Sequence, residues 1–217
     1  MRNDEWERPA GNDANADRRA RILDAAERCF VRSGFHRTTM QDVAAEAGMS
    51  AGNLYRYFRS KDAIVAGLAE RDRAQMASDL SVIGPGDDFI AAFRELGRKH
   101  FEEEPRERAI LGLEIWAEAT RNREVAATVQ EFEGDLIGHL TDMIAAAQEN
   151  GSVSRLNEAR DIAVLIATLA DGLFVRRATL PDFDAGREVG HVLSIIGALL
   201  KGHITLSQGV SDAGASS

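Results

Sequence analysis

The 217-residue sequence holds a single cysteine, only four prolines and two tyrosines, and its apolar runs are short. A lone Cys29 excludes an intramolecular disulfide. The run 162–170, bounded by Asp161 and Asp171, is less than half of the roughly 20 residues a bilayer span needs, so no transmembrane helix is expected. Residues 1–6 lack the apolar stretch of a secretory signal, which predicts a cytoplasmic location. Catalytic signatures are missing too. There is no G-x-S-x-G, no phosphate-binding glycine loop and no cysteine cluster, and His36, His100, His139, His191 and His203 are scattered without metal-ligand spacing. The expectation is therefore no enzyme, no metal and no cofactor. An excess of acid, 35 Asp and Glu against 26 Lys and Arg for a net charge of −9, excludes a protein that coats nucleic acid by bulk charge. What remains is ordinary globular material, 44% hydrophobic and 28% charged.

The net charge hides an asymmetry. Residues 17–61 carry nine basic and five acidic side chains, a net +4, whereas 62–217 carry a net −11. A small basic head on a large acidic body points to a polyanion as the partner of the head.

Helical periodicity begins at Asp17. Ile22, Ala25, Ala26, Cys29 and Phe30 share one face, and Gly34 stops the helix. Residues 1–16, rich in Asn, Asp and Gly, read as a disordered arm. Thr39 fits an N-cap, with Asp42 three residues on completing a capping-box-like pair, and Val43, Ala44 and Ala47 form the inner side of a short second helix. After Gly48-Met49-Ser50, Ser50 caps a third helix over 51–57, and Ser60 caps a fourth over 61–80. Long helical patterns fill the rest to residue 206, broken at Pro85, Pro105, Asn150-Gly151 and Pro181, and 207–217 reads as a mobile tail. No useful β-alternation occurs. The predicted fold is all-α with about nine helices, divided as arm 1–16, head 17–61, body 62–206 and tail 207–217.

Two short helices joined by a Gly-containing turn and braced by a preceding helix make a helix-turn-helix, whose second helix lies in the major groove of double-stranded DNA. Here Ser50 and Ala51 open that second helix. Gly52 has no side chain to hold the backbone off DNA, Asn53 can read base edges, and Tyr55, Arg56 and Tyr57 suit phosphates. Thr39 and Gln41 stand at the entry of the preceding helix, and Lys61 at the start of the fourth helix can meet a phosphate. Leu54 and Phe58 are packing residues. Cys29 is a small core residue rather than a redox sensor.

The run Arg21-Ile22-Leu23-Asp24-Ala25-Ala26, then Gly34-Phe35, Thr38-Thr39-Met40, Asp42-Val43-Ala44, Ala47-Gly48-Met49-Ser50, Gly52-Asn53-Leu54-Tyr55-Arg56-Tyr57-Phe58 and Ser60-Lys61-Asp62 resembles the DNA-binding domain of the TetR family of transcriptional repressors. The resemblance covers about the first quarter of the chain. It implies a homodimer whose last two helices pair with those of a partner, and a body that binds a small molecule and so releases DNA. The family commonly has His where this chain has Tyr57, a change that keeps a polar donor.

Within the body, Phe89, Phe93, Phe101, Trp116, Phe132 and Phe174 could line an apolar cavity, although aromatics at helical spacing are usually core. Glu114, Glu118, Asp171 and Arg176 could put a charge in it, yet most such residues lie at the surface. Leu165, Leu169, Leu173 and Val175 on one helix, and Val189, Val192, Leu193, Ile196 and Leu200 on the next, exceed what one body can cover and predict a dimer interface. The leading reading is a DNA-binding repressor released by an apolar or amphipathic effector. The alternatives are a regulator whose body binds a protein, and an all-α small-molecule-binding protein with a disused head. The concentration of basic residues in the head argues against disuse.

Overall fold

Helices account for every regular element among the residues described by this computed structural model of the chain, which are 10–80, 88–103 and 105–206. Nine α-helices and one π-helical turn occur among them and no strand, in agreement with the all-α periodicity. The outer part of the expected arm, 1–9, the breaker Pro85 and the tail 207–217 lie outside the described residues.

The first helix, α1, spans Ala10–Ser33 and so begins seven residues before the apolar pattern does. Residues 10–16 were expected in the arm, because their sequence leaves no apolar periodicity to read. Extending an existing helix over such residues is far easier than nucleating one. At the other end Gly34, with φ +81, ends the helix as expected. Thr38 is buried in the following turn, its hydroxyl within 2.9 Å of the Gly34 carbonyl and 3.1 Å of that of Cys29.

Helix α2 spans Met40–Glu46 and opens on the expected capping box: the Thr39 hydroxyl accepts from the Asp42 N–H at 3.2 Å, and the Asp42 carboxylate accepts from the Thr39 N–H at 2.8 Å. Gly48, at φ +68, makes the turn. Helix α3, Ala51–Leu54, is capped by Ser50, whose hydroxyl accepts from the Asn53 N–H. It is three residues shorter than predicted. Beyond Leu54 the bonds shift to three-residue spacing, from Arg56 N–H to Asn53 and from Tyr57 N–H to Leu54, which tightens the chain out of the α-helix. Helix α4, Lys61–Leu80, has the expected start, with the Ser60 hydroxyl accepting from the Ala63 N–H.

The remaining helices are α5 Phe89–Arg98, capped by Asp88 and followed by the π-helical turn Lys99–Glu103, then α6 Arg106–Ala119, α7 Arg123–Glu149, α8 Ala159–Thr179 and α9 Ala185–Leu200. None is long and apolar enough to cross a membrane.

The described residues divide into two compact units. One comprises residues up to Ala74 together with Glu107–Phe132, and the other Gln75–Arg106 with 133–206. The first thus adds most of α4, nearly all of α6 and the start of α7 to the helix-turn-helix. The reason is burial: Leu111 and Val125 belong to the same core as Ile22, Phe30, Val43, Leu54, Ile64 and Leu68. A head of about 45 residues buries too little surface by itself to be stable. The second unit has its own core, built from Phe89, Phe93, Ile144, Ile162, Val189, Ile196 and Leu199.

Candidate nucleic-acid interface

The capping box and the Ser50 cap fix where α2 and α3 start, and buried Met40, Val43, Ala44 and Leu54 fix which faces turn inward. Leu54 and Phe58 are core, as expected. What is left outside is Thr39 and Gln41 on the second helix, and Ser50, Gly52, Tyr55 and Arg56 on the third, with Ala51, Asn53 and Tyr57 half-buried. Tyr55 is 47% exposed, which is unusual for so large an apolar ring. A β-carbon placed on Gly52 would meet nothing within 4 Å, so the backbone itself forms the surface there. These residues carry hydroxyl, amide and guanidinium groups of the kinds that meet phosphates and base edges.

The basic residues of the head divide by use. Arg28 and Arg32 both pair with Glu46, at 2.8 and 3.2 Å, and their hydrogen bonds hold its carboxyl below the usual carboxylate range. Arg21 donates to the Ala47 carbonyl at the end of α2 at 3.1 Å. By contrast Arg37, Arg56 and Arg59 make no hydrogen bond or ion pair among the described residues, and all three are exposed. They are the cations open to a phosphate.

Arg18 and Arg19, visible in the sequence only as charge, reach the end of the helix-turn-helix. The Arg18 guanidinium lies 3.5 Å from the Tyr57 hydroxyl, and that of Arg19 lies 3.5 Å from the Tyr57 carbonyl and 4.5 Å over the Phe58 ring. Together they bring positive charge from α1 to the segment that follows the third helix. Their signal in the sequence was position: two arginines just before Ile22, where the buried stripe of α1 begins.

Lys61 was expected to face a phosphate. In this structure its ammonium donates to the Phe35 carbonyl at 2.6 Å and the His36 carbonyl at 3.4 Å, and it sits 4.4 Å over the Phe35 ring. Burial pushes its pKa down, and the charges of Glu118 and Asp62 oppose that shift. Cys29 is buried, and burial pushes its thiol up, away from a reactive thiolate.

The body residues considered for a ligand fall in both units. Phe89 and Phe93 are stacked and buried in the second core; Trp116 and Phe132 belong to the first unit. Phe174 is half-buried and makes edge contacts with His100 and Phe101. An open cavity of about 230 Å³ in the second unit is lined by Asp79, Leu96, Lys99, His100, Glu103 and Pro105. Of the residues expected to meet a second copy, Leu173, Val189, Leu193, Ile196 and Leu200 are buried within the chain itself, Leu165, Leu169 and Val192 are half-buried, and Val175 is exposed. The apolar faces of α8 and α9 close the second core, a direction that periodicity cannot distinguish from outward.

Residues 22–68 match the family model for bacterial regulatory proteins of the tetR family, and residues 92–201 match that for the C-terminal part of BetI-type transcriptional repressors. The transcriptional regulator UidR of Escherichia coli K12 is 29% identical over 140 residues, 63% of this chain and 69% of that protein. The regulator TtgR of Pseudomonas putida is 30% identical over 183 residues, covering 76% of this chain and 81% of its own length. Among solved structures, GusR of Salmonella enterica superposes with a TM-score of 0.73 over 91% of this chain and all of that one, at 24% identity. With a family model spanning the head and a second spanning half the chain, this protein belongs to the TetR family of DNA-binding transcriptional regulators.

Proposed function

We propose that this chain acts in the cytoplasm as a homodimeric repressor that binds a palindromic site in double-stranded DNA and leaves it when a small amphipathic molecule binds the body. The observation that carries the reading is the exposure of Gln41, Gly52, Tyr55 and Arg56 outside the core of the helix-turn-helix, together with the exposed Arg37 and Arg59, which pair with nothing among the described residues. Asn53 and Gln41 are the base readers, Arg56 and Tyr55 the phosphate contacts, and Thr39, Ser50 and Ala51 set the backbone near the duplex.

Dimerisation is supported by the outer faces of the last two helices. Val164, Thr168, Gly172 and Val175 follow one another at helical spacing on α8, and Ile195 stands on α9; the three large apolar residues are 40 to 48% exposed. Release is supported by the cavity beside the π-helical turn, where Leu96 and Pro105 offer apolar walls and Lys99, His100, Asp79 and Glu103 polar ones. The match to a repressor C-terminal model favours repression over activation.

The test is selection of a duplex from a random-sequence pool by the full chain. The expected product is an inverted repeat with half-sites about one helical turn apart, roughly 34 to 36 Å. A single unrepeated half-site would overturn the dimeric reading. Screening amphipathic compounds for release of that duplex, with Leu96→Trp filling the cavity and abolishing the response, tests the effector.

A further inference from the structure

The turn between α1 and α2 is held by charged side chains rather than by apolar contact alone. Gly34 leaves α1 at positive φ, and the N–H of Phe35 finds the Glu114 carboxylate of α6 at 2.9 Å. The carbonyl of the same residue takes the Lys61 ammonium of α4. Its ring is 4% exposed and lies 5.3 Å from that of Phe30. Phe35 is thus gripped on both backbone polar groups, by an anion from one helix and a cation from another.

The next residue repeats the pattern. His36 Nε2 lies 3.0 Å from a carboxylate oxygen of Glu118, four residues further along α6 and on the same face as Glu114. Glu118 is only 5% exposed, and it also accepts from Arg121 Nε at 3.0 Å and Asn122 Nδ2 at 3.4 Å. Asn122 in turn donates to Asp62, the neighbour of Lys61, and its side-chain oxygen accepts from the Glu124 N–H at the start of α7. All these residues lie in the first compact unit. Burying a carboxylate is costly unless it is paired and hydrogen-bonded, and apolar residues would fasten α6 to the turn with less loss. A charged junction of this kind specifies one arrangement against others.

We propose that Glu114 and Glu118 are positioning residues for DNA recognition, through which α6 sets the place of the α1–α2 turn and so of the two reading helices. Phe35 lies four residues before Thr39, the cap that starts α2, so a displacement of the turn carries α2 and α3 with it. Lys61 is the opposing jaw of this grip. Any change in the body that shifts α6 is then delivered to the recognition helices at Phe35 and His36. The inference rests on the DNA-binding reading of α2 and α3.

The test uses the full chain and a duplex that the wild type enriches from a random pool. Affinity for that duplex and for a scrambled one is measured at the same ionic strength, with thermal unfolding alongside. Glu114→Ala is expected to lose about tenfold in affinity for the enriched duplex while affinity for the scrambled one holds. Glu114→Gln, which keeps an acceptor for the Phe35 N–H, restores most of it. Glu118→Gln, isosteric but uncharged, loses selective affinity and stands in if Glu114→Ala unfolds. Folded variants with wild-type selectivity overturn the proposal, as does a parallel loss on both duplexes, which marks a merely structural role. A wild type that enriches no duplex overturns the DNA-binding reading, and this inference with it.

Discussion

Arg71 on α4 donates to the Glu27 carboxylate on α1 at 2.6 Å, and this pair is the centre of a network that ties three helices. The other amino group of Arg71 reaches Asp24 at 2.8 Å, and Arg108 on α6 reaches Asp72 at 2.8 Å. Burial pushes the Asp72 carboxyl up, and Arg108 and Arg71 pull it back. Arg71→Met should lower stability by about 2 kcal/mol, the scale of a hydrogen bond to a charged group, because Glu27 is only 19% exposed and would lose its main partner. Arg108, 3.8 Å away, keeps the loss below that of a fully buried pair. Arg71→Met with Glu27→Leu should recover most of the loss in urea unfolding. A double variant no more stable than the single one would show that the charge left behind is not the cause.

The capping box gives α2 an acid-sensitive start. The Thr39 hydroxyl and N–H hold the Asp42 carboxyl below its usual value. A carboxyl lowered by folding contributes stability above its unfolded pKa, about 3.9, and loses that contribution as pH falls through its folded value. The stability gap between wild type and Asp42→Ala should therefore be constant near neutral pH and close below about pH 4. At neutral pH Thr39→Ala should cost about 1 kcal/mol. A gap that does not narrow as pH falls below about 4 would contradict the assignment.

Much of this was legible because it is local. Thr39 with Asp42, Ser50, Gly34 and Gly48 act on their own neighbours, and the structure has them in those roles. The start of α1 was not legible, since residues 10–16 carry no apolar periodicity although the helix runs over them. Nor was the contact of Lys61 with Phe35, because the carbonyl it meets is set by a turn 26 residues earlier. Glu118 reads as surface in sequence and is buried, since its donors, His36, Arg121 and Asn122, come together only in the folded unit. The apolar residues of α8 and α9 were visible, but whether each faces its own core or outward depends on the packing of α5 and α7.

Gly52 separates folding from recognition. It is in a helix at ordinary φ, and a β-carbon there meets nothing in the chain. Gly52→Ala should leave thermal stability unchanged or raise it by up to about 1 kcal/mol, since alanine loses less backbone freedom in a helix. Affinity for the enriched duplex should nevertheless fall about tenfold or more, because the methyl group holds the backbone off the DNA. Unchanged affinity, measured by fluorescence anisotropy, would mean that α3 does not approach the duplex at this residue.

Two neighbours on α9 test which face meets a second copy. Leu193 is 8% exposed in the second core, whereas Ile195 is 48% exposed and points away from it. A charge at Leu193 must be buried without a partner, so Leu193→Glu should unfold the second unit or lower its melting temperature sharply. At Ile195 the same charge is solvated in the isolated chain and meets its own copy only across a two-fold interface. Ile195→Glu should therefore keep the helical content and core stability of a single chain while converting a dimer to a monomer in sedimentation. Combining it with Val164→Glu, on the outer face of α8, should complete the conversion if one variant leaves residual dimer. A dimer that persists in the folded double variant would move the interface away from the outer faces of α8 and α9.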